Sequence, residues 1–506
     1  MVTWMVFTRC LVLNLSDVDA FGLTLPLTTL MVSADISMES QTPAPEANQA
    51  STTGAMRWTV HVEVRLKPRA SSRFDTIRNL VHSYVTSFER LVLPSTLSGW
   101  EDIPELLSSV ERISVCEAQC PTASLKMEEM VIQAHVYQPS DGDAFEEFSN
   151  SSGSRGEDDD TMAASICELP NRSYEGLWDS LIYAGDIKMK LLDYIHATLV
   201  LSDANVDFNL VSWNRVVLLH GPPGTGKTSL CRALGQKLAI RLSHRYSHAR
   251  LLEINSHSLF SKWFSESGKL VQRLFNNITE LVEEEDGFVV VLIDEVESLT
   301  AARAGAMAGT EPSDGLRVVN ALLTQLDKLK TRKNVLIMAT SNLVKAIDTA
   351  FVDRADIIQY VDLPSREAIY EILRTCLCEM ILKGIVASVT IPTLKQVQMY
   401  ELVSKVNGRS DVADGQERSR SIGLRLLALA FQCRKQGMSG RALRRLPVLA
   451  LARYIGLGNV GLAPGPSSSS TQPTAGRSSP SVSVEIWLDG MEKAVDEQAK
   501  EAEHLT

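Results

Sequence analysis

Val216-Val217-Leu218-Leu219-His220 runs directly into Gly221-Pro222-Pro223-Gly224-Thr225-Gly226-Lys227-Thr228, and Ser229-Leu230-Cys231-Arg232-Ala233-Leu234 continues with residues that favour a helix. The aliphatic run leaves no polar face, so it reads as a strand buried on both sides. The spacing G-x-x-x-x-G-K-T that follows is that of a phosphate-binding loop. Its glycines let backbone N–H groups point inward as an anion nest, and the helix behind them adds its positive N-terminal end. Lys227 is then the residue that reaches the outer phosphates, and Thr228 offers its hydroxyl to magnesium. A chance glycine-rich turn is the bland alternative, but it would not require strand and helix to flank it in this order.

About 65 residues downstream, Phe288–Leu299 reads FVVVLIDEVESL. A second apolar strand ending in two carboxylates suits nucleotide hydrolysis: Asp294 to hold the magnesium, and Glu295 to polarise water for in-line attack on the γ-phosphate. An acidic pair at a strand end is common alone; behind a phosphate loop at this distance it acquires a role. A third buried strand, VLIMATSN, ends in Asn342, whose amide is placed to orient the attacking water, against the plain alternative of an Asn starting a turn. Apolar strands of this kind, alternating with helical patterns, predict a parallel sheet covered on both faces.

Working outward, residues 1–56 read as a disordered leader, of which 1–37 look like an alternative start ahead of Met38. Alternation in RWTVHVEVRL puts Trp58, Val60, Val62, Val64 and Leu66 on one face of a half-buried strand. An amphipathic helix is expected over Phe74–Leu93 and a strand ending at Gln138, giving a small α/β domain over 57–138. Residues 139–168, with EEFSNSSGSRGEDDD, read as a flexible acidic linker. The large ATPase domain spans 169–364, and 365–506 is an all-helical lid interrupted at about 462–482 by a Pro/Ser-rich, disordered insertion.

Composition narrows the class. The net charge is -11, a poor basis for wrapping nucleic acid, so no direct nucleic-acid partner is expected. No apolar run approaches the ~20 residues of a membrane span. The eight cysteines, with Cys116/Cys120 and Cys376/Cys378 the close pairs, match neither a disulfide framework nor a zinc knuckle. His244 and His248, four apart, read as surface histidines rather than ligands, Glu283–Asp286 as a loop, and RALRRLP as a solvated helix face.

These motifs in this order resemble the AAA+ ATPases. LWDSLIYAGDIKMKLLDYI, HGPPGTGKTSLCRAL, LLEINSHSLFSKWFSESGKLV, VLIDEVESLTAAR and GTEPSDGLRVVNALLTQLD together resemble the pachytene checkpoint protein 2 homolog family, over roughly residues 57–460 and the last helix. The resemblance implies a hexameric ring that uses ATP and Mg2+ to remodel or partly unfold HORMA-domain proteins, some presented by an adaptor. It implies work in meiotic recombination, chromosome synapsis and the spindle checkpoint, in nucleus and cytoplasm and not outside the cell. By position, Asn342 matches the first sensor and Arg441 in SGRAL the second, while Arg354 in FVDRAD matches the finger that reaches a neighbouring subunit. Most AAA relatives carry two arginines where this sequence has Arg354 alone, so Arg303 or Arg317 share the candidacy.

Lys262-Trp263-Phe264 sits where AAA remodelers place an aromatic loop in the central pore. Flat side chains grip an extended chain without specific hydrogen bonds. Two adjacent aromatics cannot both face one core, which favours exposure of at least one. The Ala304–Thr310 segment reads as a second, softer pore loop. Rival functions are a AAA motor of another branch, separated by dependence on a HORMA substrate, and a non-hydrolysing ATP-bound scaffold, which has no need of Glu295.

Overall fold

A computed structural model of the chain describes residues 57–116, 118, 120, 122–142, 146–147, 164–256, 267–298, 314–343, 347–406, 414–456 and 482–503. The leader, the pore residues Lys262, Trp263 and Phe264, Arg303, the Ala304–Thr310 segment, most of the linker and the Pro/Ser insertion lie outside them, as does the Arg317 side chain. The described residues belong to one compact unit, Met56–Thr506.

The N-terminal domain is a four-stranded sheet in the order β3 (Ser95–Leu97), β4 (Val110–Val115), β1 (Trp58–Leu66), β6 (Met130–Tyr137), with a separate pair formed by β2 (Arg90–Val92) and β5 (Ser124–Lys126). The central strand β1 runs antiparallel to β4 and parallel to β6. Val60, Val62, Val64 and Leu66 are fully buried against the helix Phe74–Thr86, whose Ile77, Val81 and Val85 face them. That helix stops at Thr86 rather than continuing to Leu93. Thr86 Oγ1 donates to the His82 and Ser83 carbonyls and Ser87 Oγ to that of Tyr84, satisfying the last turn locally and releasing the chain into β2.

The ATPase sheet has seven strands in the order β13 (Ile357–Tyr360), β9 (Val216–His220), β12 (Val335–Ser341), β11 (Gly287–Asp294), β10 (His248–Asn255), β8 (Ala164–Leu169), β7 (Glu146–Glu147). The first five are parallel, as the apolar runs require. The last two are antiparallel additions that the sequence reading had assigned to the linker. Alternate residues of β11 feed two cores: Val289, Val291 and Ile293 face the helices Ser267–Glu283 and Asp314–Leu329, while Phe288, Val290 and Leu292 face Ile187–Asp203 and Lys227–Arg241. A strand buried on both faces has no room for polar alternation.

Among the described residues the lid packs five helices, Arg366–Leu382, Leu394–Val406, Asp414–Lys435, Gly440–Ala450 and Val484–Glu503, around Tyr370, Leu426, Leu443 and Trp487. Arg425 and Arg418 tie the last helix to Asp414–Lys435 through Asp489, Glu492 and Glu485.

The polar face of β1 meets the ATPase domain. Glu63 lies 2.6 Å from Lys237 on the helix Lys227–Arg241, both side chains nearly sealed from solvent. Burial opposes charge on both and is the largest single influence, yet the pair's attraction and hydrogen bond together, with Cys116 helping on each side, outweigh it: Lys237 is held above the ordinary lysine value and Glu63 below the ordinary carboxylate value. Arg65 on the same face pairs with Glu175. The described cysteines are free, and no three His, Cys, Asp or Glu side chains among the described residues are placed to share a metal ion.

Candidate active site

Strands β9, β11 and β12 end side by side, and their C-terminal ends carry the chemistry, as expected for an open parallel sheet. The phosphate loop leaves β9 at Gly221. Three of its glycines adopt left-handed backbone, with φ of 146° at Gly221, 76° at Gly224 and 91° at Gly226. At Gly221 a Cβ would also collide with the Val361 carbonyl oxygen, so only glycine fits. The helix Lys227–Arg241 starts immediately after Gly226, aiming its free N–H groups at the loop.

Lys227 is buried and folds over the loop, its Nζ donating to the Gly221 and Pro222 carbonyls at 2.8 Å each. Burial pushes its ammonium below the ordinary lysine value, against the pull of Glu297, Asp294 and Glu295. Thr225 Oγ1 donates to the Pro222 carbonyl, closing the turn that contains Pro223 and Gly224. Thr228 Oγ1 donates to Asp294 Oδ1 at 2.9 Å, bringing together the two residues expected at magnesium. Adjacent hydroxyl and carboxylate oxygens are hard donors of the kind Mg2+ takes, so this pair fits the ion.

Thr340, one residue inside the end of β12, donates to the same Asp294 oxygen and accepts from the Glu295 N–H at 3.3 Å. Glu295 takes a left-handed φ of 58°, a strained state for a non-glycine residue, which directs the chain sharply after Asp294. Asn342 lies next to this set, with its backbone N–H donating 3.0 Å to Glu297 Oε1. Thr340 and Glu297 escaped the sequence reading. The available signal was a hydroxyl interrupting the buried run of β12, and a third acid in DEVE.

On the other side the loop meets the lid. The Arg441 N–H donates 3.2 Å to the Gly224 carbonyl, and Ser439 caps its helix by accepting from Ala442 N–H. A cavity of about 440 Å3 opens between them, lined by Gly224, Thr225, Gly226, Tyr183, Arg441 and Arg444 among others. Tyr183 OH donates 3.2 Å to the Gly226 carbonyl, and Arg444, exposed like Arg441 and Arg445 as a solvated helix face requires, also donates to the Ser180 carbonyl and so ties the lid to the large domain. Arg354 is not at this cavity. It forms a two-pronged pair with Asp327, at 3.1 and 2.8 Å, and donates to the Ala350 carbonyl.

His244 follows the helix Lys227–Arg241 and is exposed, while His248 opens β10 and lies 3.2 Å from Glu284. They are not on one helical turn.

Family models match three stretches in register with these modules: the TRIP13 N-terminal domain over 55–142, the ATPase family associated with various cellular activities (AAA) over 217–363, and the TRIP13-like AAA+ ATPase lid C-terminal domain over 365–463. The pachytene checkpoint protein 2 homolog of Sus scrofa is 41% identical over 452 residues, covering 88% of this chain and 95% of that protein. The Danio rerio homolog is 45% identical over 404 residues, covering 79% and 90%. The solved structure of C. elegans PCH-2 superposes with a TM-score of 0.62 at 30% identity, covering 87% of this chain and 99% of the other. With relatives this similar over most of both chains and an AAA model across the strands that carry the phosphate loop, the chain is an ATP hydrolase and belongs to the pachytene checkpoint protein 2 homolog family of AAA+ ATPases.

Proposed function

We propose that the chain assembles as a homo-hexameric ring and uses ATP hydrolysis to remodel or partly unfold HORMA-domain proteins, recognised through the N-terminal domain with a HORMA adaptor. Family membership supports the substrate class. The observation that carries the motor reading is the Glu63–Lys237 pair, which fixes the N-terminal domain to the same helix that begins at Lys227. A recognition module seated on the nucleotide helix is suited to passing force in either direction.

In the proposed cycle Lys227 gives up its carbonyl partners for the outer phosphates, and Arg441 approaches them from the lid side. Glu295 takes a proton from the attacking water, which Asn342 orients. Thr228 and Asp294 are the residues to hold Mg2+, which neutralises developing phosphate charge. Arg354, supplied to the next subunit, adds positive charge there, and release from Asp327 is the rearrangement it must make. Lys262, Trp263 and Phe264 grip the substrate chain in the pore. The setting proposed is the nucleus and cytoplasm, in meiotic recombination, synapsis and spindle-checkpoint control.

Steady-state phosphate release, with and without a closed HORMA protein and its adaptor and with Glu295→Gln as blank, tests this. Turnover that rises with the partner supports motor and substrate together; turnover indifferent to it removes the HORMA reading and leaves the ATPase.

A further inference from the structure

The sequence has nine histidines, and five of them, His61, His82, His135, His196 and His244, line one cavity of about 760 Å3 between the N-terminal and ATPase domains. Arg57, Arg78 and Arg241 line it too, against the single carboxylate Asp193. Trp58, Ile132, Leu192 and Leu238 give it an apolar wall. No residue lines both this cavity and the one at the phosphate loop.

The cations differ in how far their charge is already met. Arg78 is paired with Asp75 at 2.5 Å. Arg241, at the far end of the helix that starts at Lys227, has a buried Nε with no hydrogen-bond partner, although a buried guanidinium nitrogen normally finds one. Beside it His61 Nδ1 lies 3.0 Å from His135 Nε2 with the rings stacked at 5.2 Å, and the His244 ring is 6.3 Å from that of His135. The pocket thus gathers forked and single N–H donors around one region, next to an apolar wall, in a volume within the range of about 300–1,000 Å3 usual for small-molecule sites.

We propose that this cavity binds a phosphate-bearing small molecule with an apolar or aromatic body, the phosphate held by Arg241 and the His61–His135 pair and the body by the Trp58–Leu238 wall. A phosphate has enough oxygens for a guanidinium fork and imidazole donors together, whereas a carboxylate is filled by the fork alone. The charged and titratable groups facing the pair are Arg57 and Glu63 from β1 and its approach, and Arg78 and His82 from the helix Phe74–Thr86. Asp193 and His196 face it from Ile187–Asp203, and Lys237 and Arg241 from Lys227–Arg241, with His244 beyond; Glu63 is already engaged by Lys237. Burial first, then Arg241, holds His61 down at about 3. Burial, with Arg241 adding and Glu63 opposing, holds His135 at about 4. A bound anion favours the charged imidazole, so binding draws in protons.

The test is calorimetry on the full chain carrying Lys227→Ala, which disables the phosphate loop, titrated with phenyl phosphate. Inorganic phosphate and phenol serve as the charge-only and apolar-only probes. Expected is saturable binding at least about tenfold tighter than either control, weakening with salt, because both halves of the site contribute. Affinity rises from about pH 8 to about pH 6, with net proton uptake across buffers of different ionisation enthalpy. Adding Arg241→Gln lowers the affinity at least about tenfold, and His135→Gln reduces the proton uptake. Should Arg241→Gln fail to fold, Arg241→Lys, which keeps the charge and loses the fork, is expected to cost about threefold. Absence of saturable binding, indifference to Arg241→Gln or Arg241→Lys, or binding without proton uptake overturns the proposal.

Discussion

Lys227 and Lys237 stand ten residues apart on one helix and are about equally buried, with 5% and 8% of their surface exposed, yet their surroundings push their charges in opposite directions. Lys227 rests on two carbonyls, and the pull of Glu297, Asp294 and Glu295, none of them in contact with it as a pair, does not make up for burial, so its ammonium is lowered. Lys237 touches a carboxylate, whose charge and hydrogen bond, with Cys116 adding, together exceed the cost of burial, and its ammonium is raised. The first lysine holds partners that a phosphate displaces with gain; the second holds a partner that nothing in solution replaces without leaving a buried charge. One helix therefore carries an exchangeable cation at its start and a fixed one about 15 Å along, at 1.5 Å per residue.

The contrast is broken most severely at the exchangeable end. Lys227→Ala is expected to cut ATP turnover by a factor on the order of 10²–10³ while barely moving the melting temperature; calorimetry showing unchanged ATP affinity would contradict its role. Glu295→Gln should keep ATP bound and slow turnover by about 10²–10⁴. Phosphate release at the parent rate by this variant would remove the general-base assignment.

At the fixed end the expectation inverts. Lys237→Met leaves Glu63 buried and unpaired, for an expected loss of about 3–5 kcal/mol in denaturant unfolding, with ATP affinity little changed in whatever remains folded. Adding Glu63→Leu should restore most of that stability, because two apolar side chains of similar size need no charge compensation. Failure of the double variant to recover would mean that the pair is not the main fastening between the domains.

The smallest effect is a pH response. An unfolded histidine takes up a proton near pH 6.5, whereas His61 and His135 in the fold resist protonation down to about 3 and about 4. The unfolded chain therefore binds the extra protons first, and stability falls as the pH drops below about 6.5, by at most about 1.4 kcal/mol per unit for each imidazole kept neutral. Unfolding free energies that stay flat between about pH 6.5 and about pH 5 would show that the pair is not sealed in this way.

Much of the nucleotide site was legible because its residues lie in short runs beside recognisable strands. Gly221–Thr228 and Asp294–Glu295 announce themselves locally, and the structure joins them through one Thr228–Asp294 hydrogen bond. Thr340, Glu297 and Tyr183 were not legible. Each acts through a contact made by tertiary folding, and none stands in a spacing that a local pattern rewards. Glu63 shows the same limit more sharply. Alternation in β1 marked His61, Glu63 and Arg65 as the polar side, which is right for the isolated domain and misleading in the whole chain, where another domain covers that side. Arg354 was placed by resemblance alone; its engagement with Asp327 leaves no trace in the sequence.

The antiparallel strands that the composition hid have a consequence for solubility. Without β8, the backbone of β10 from Ala249 to Ile254 would present a row of unpaired hydrogen-bonding groups along the rim of a very apolar sheet. β8 covers that row, and the short strand β7 pairs with part of β8 in turn, so the backbone of β10 is no longer at the rim. An ATPase fragment cut after Leu169 would lose this guard and is expected to self-associate through β10, whereas one that begins upstream of Glu146 keeps it. The acidic stretch between the two domains is thus, at both of its ends, part of what keeps the sheet from growing.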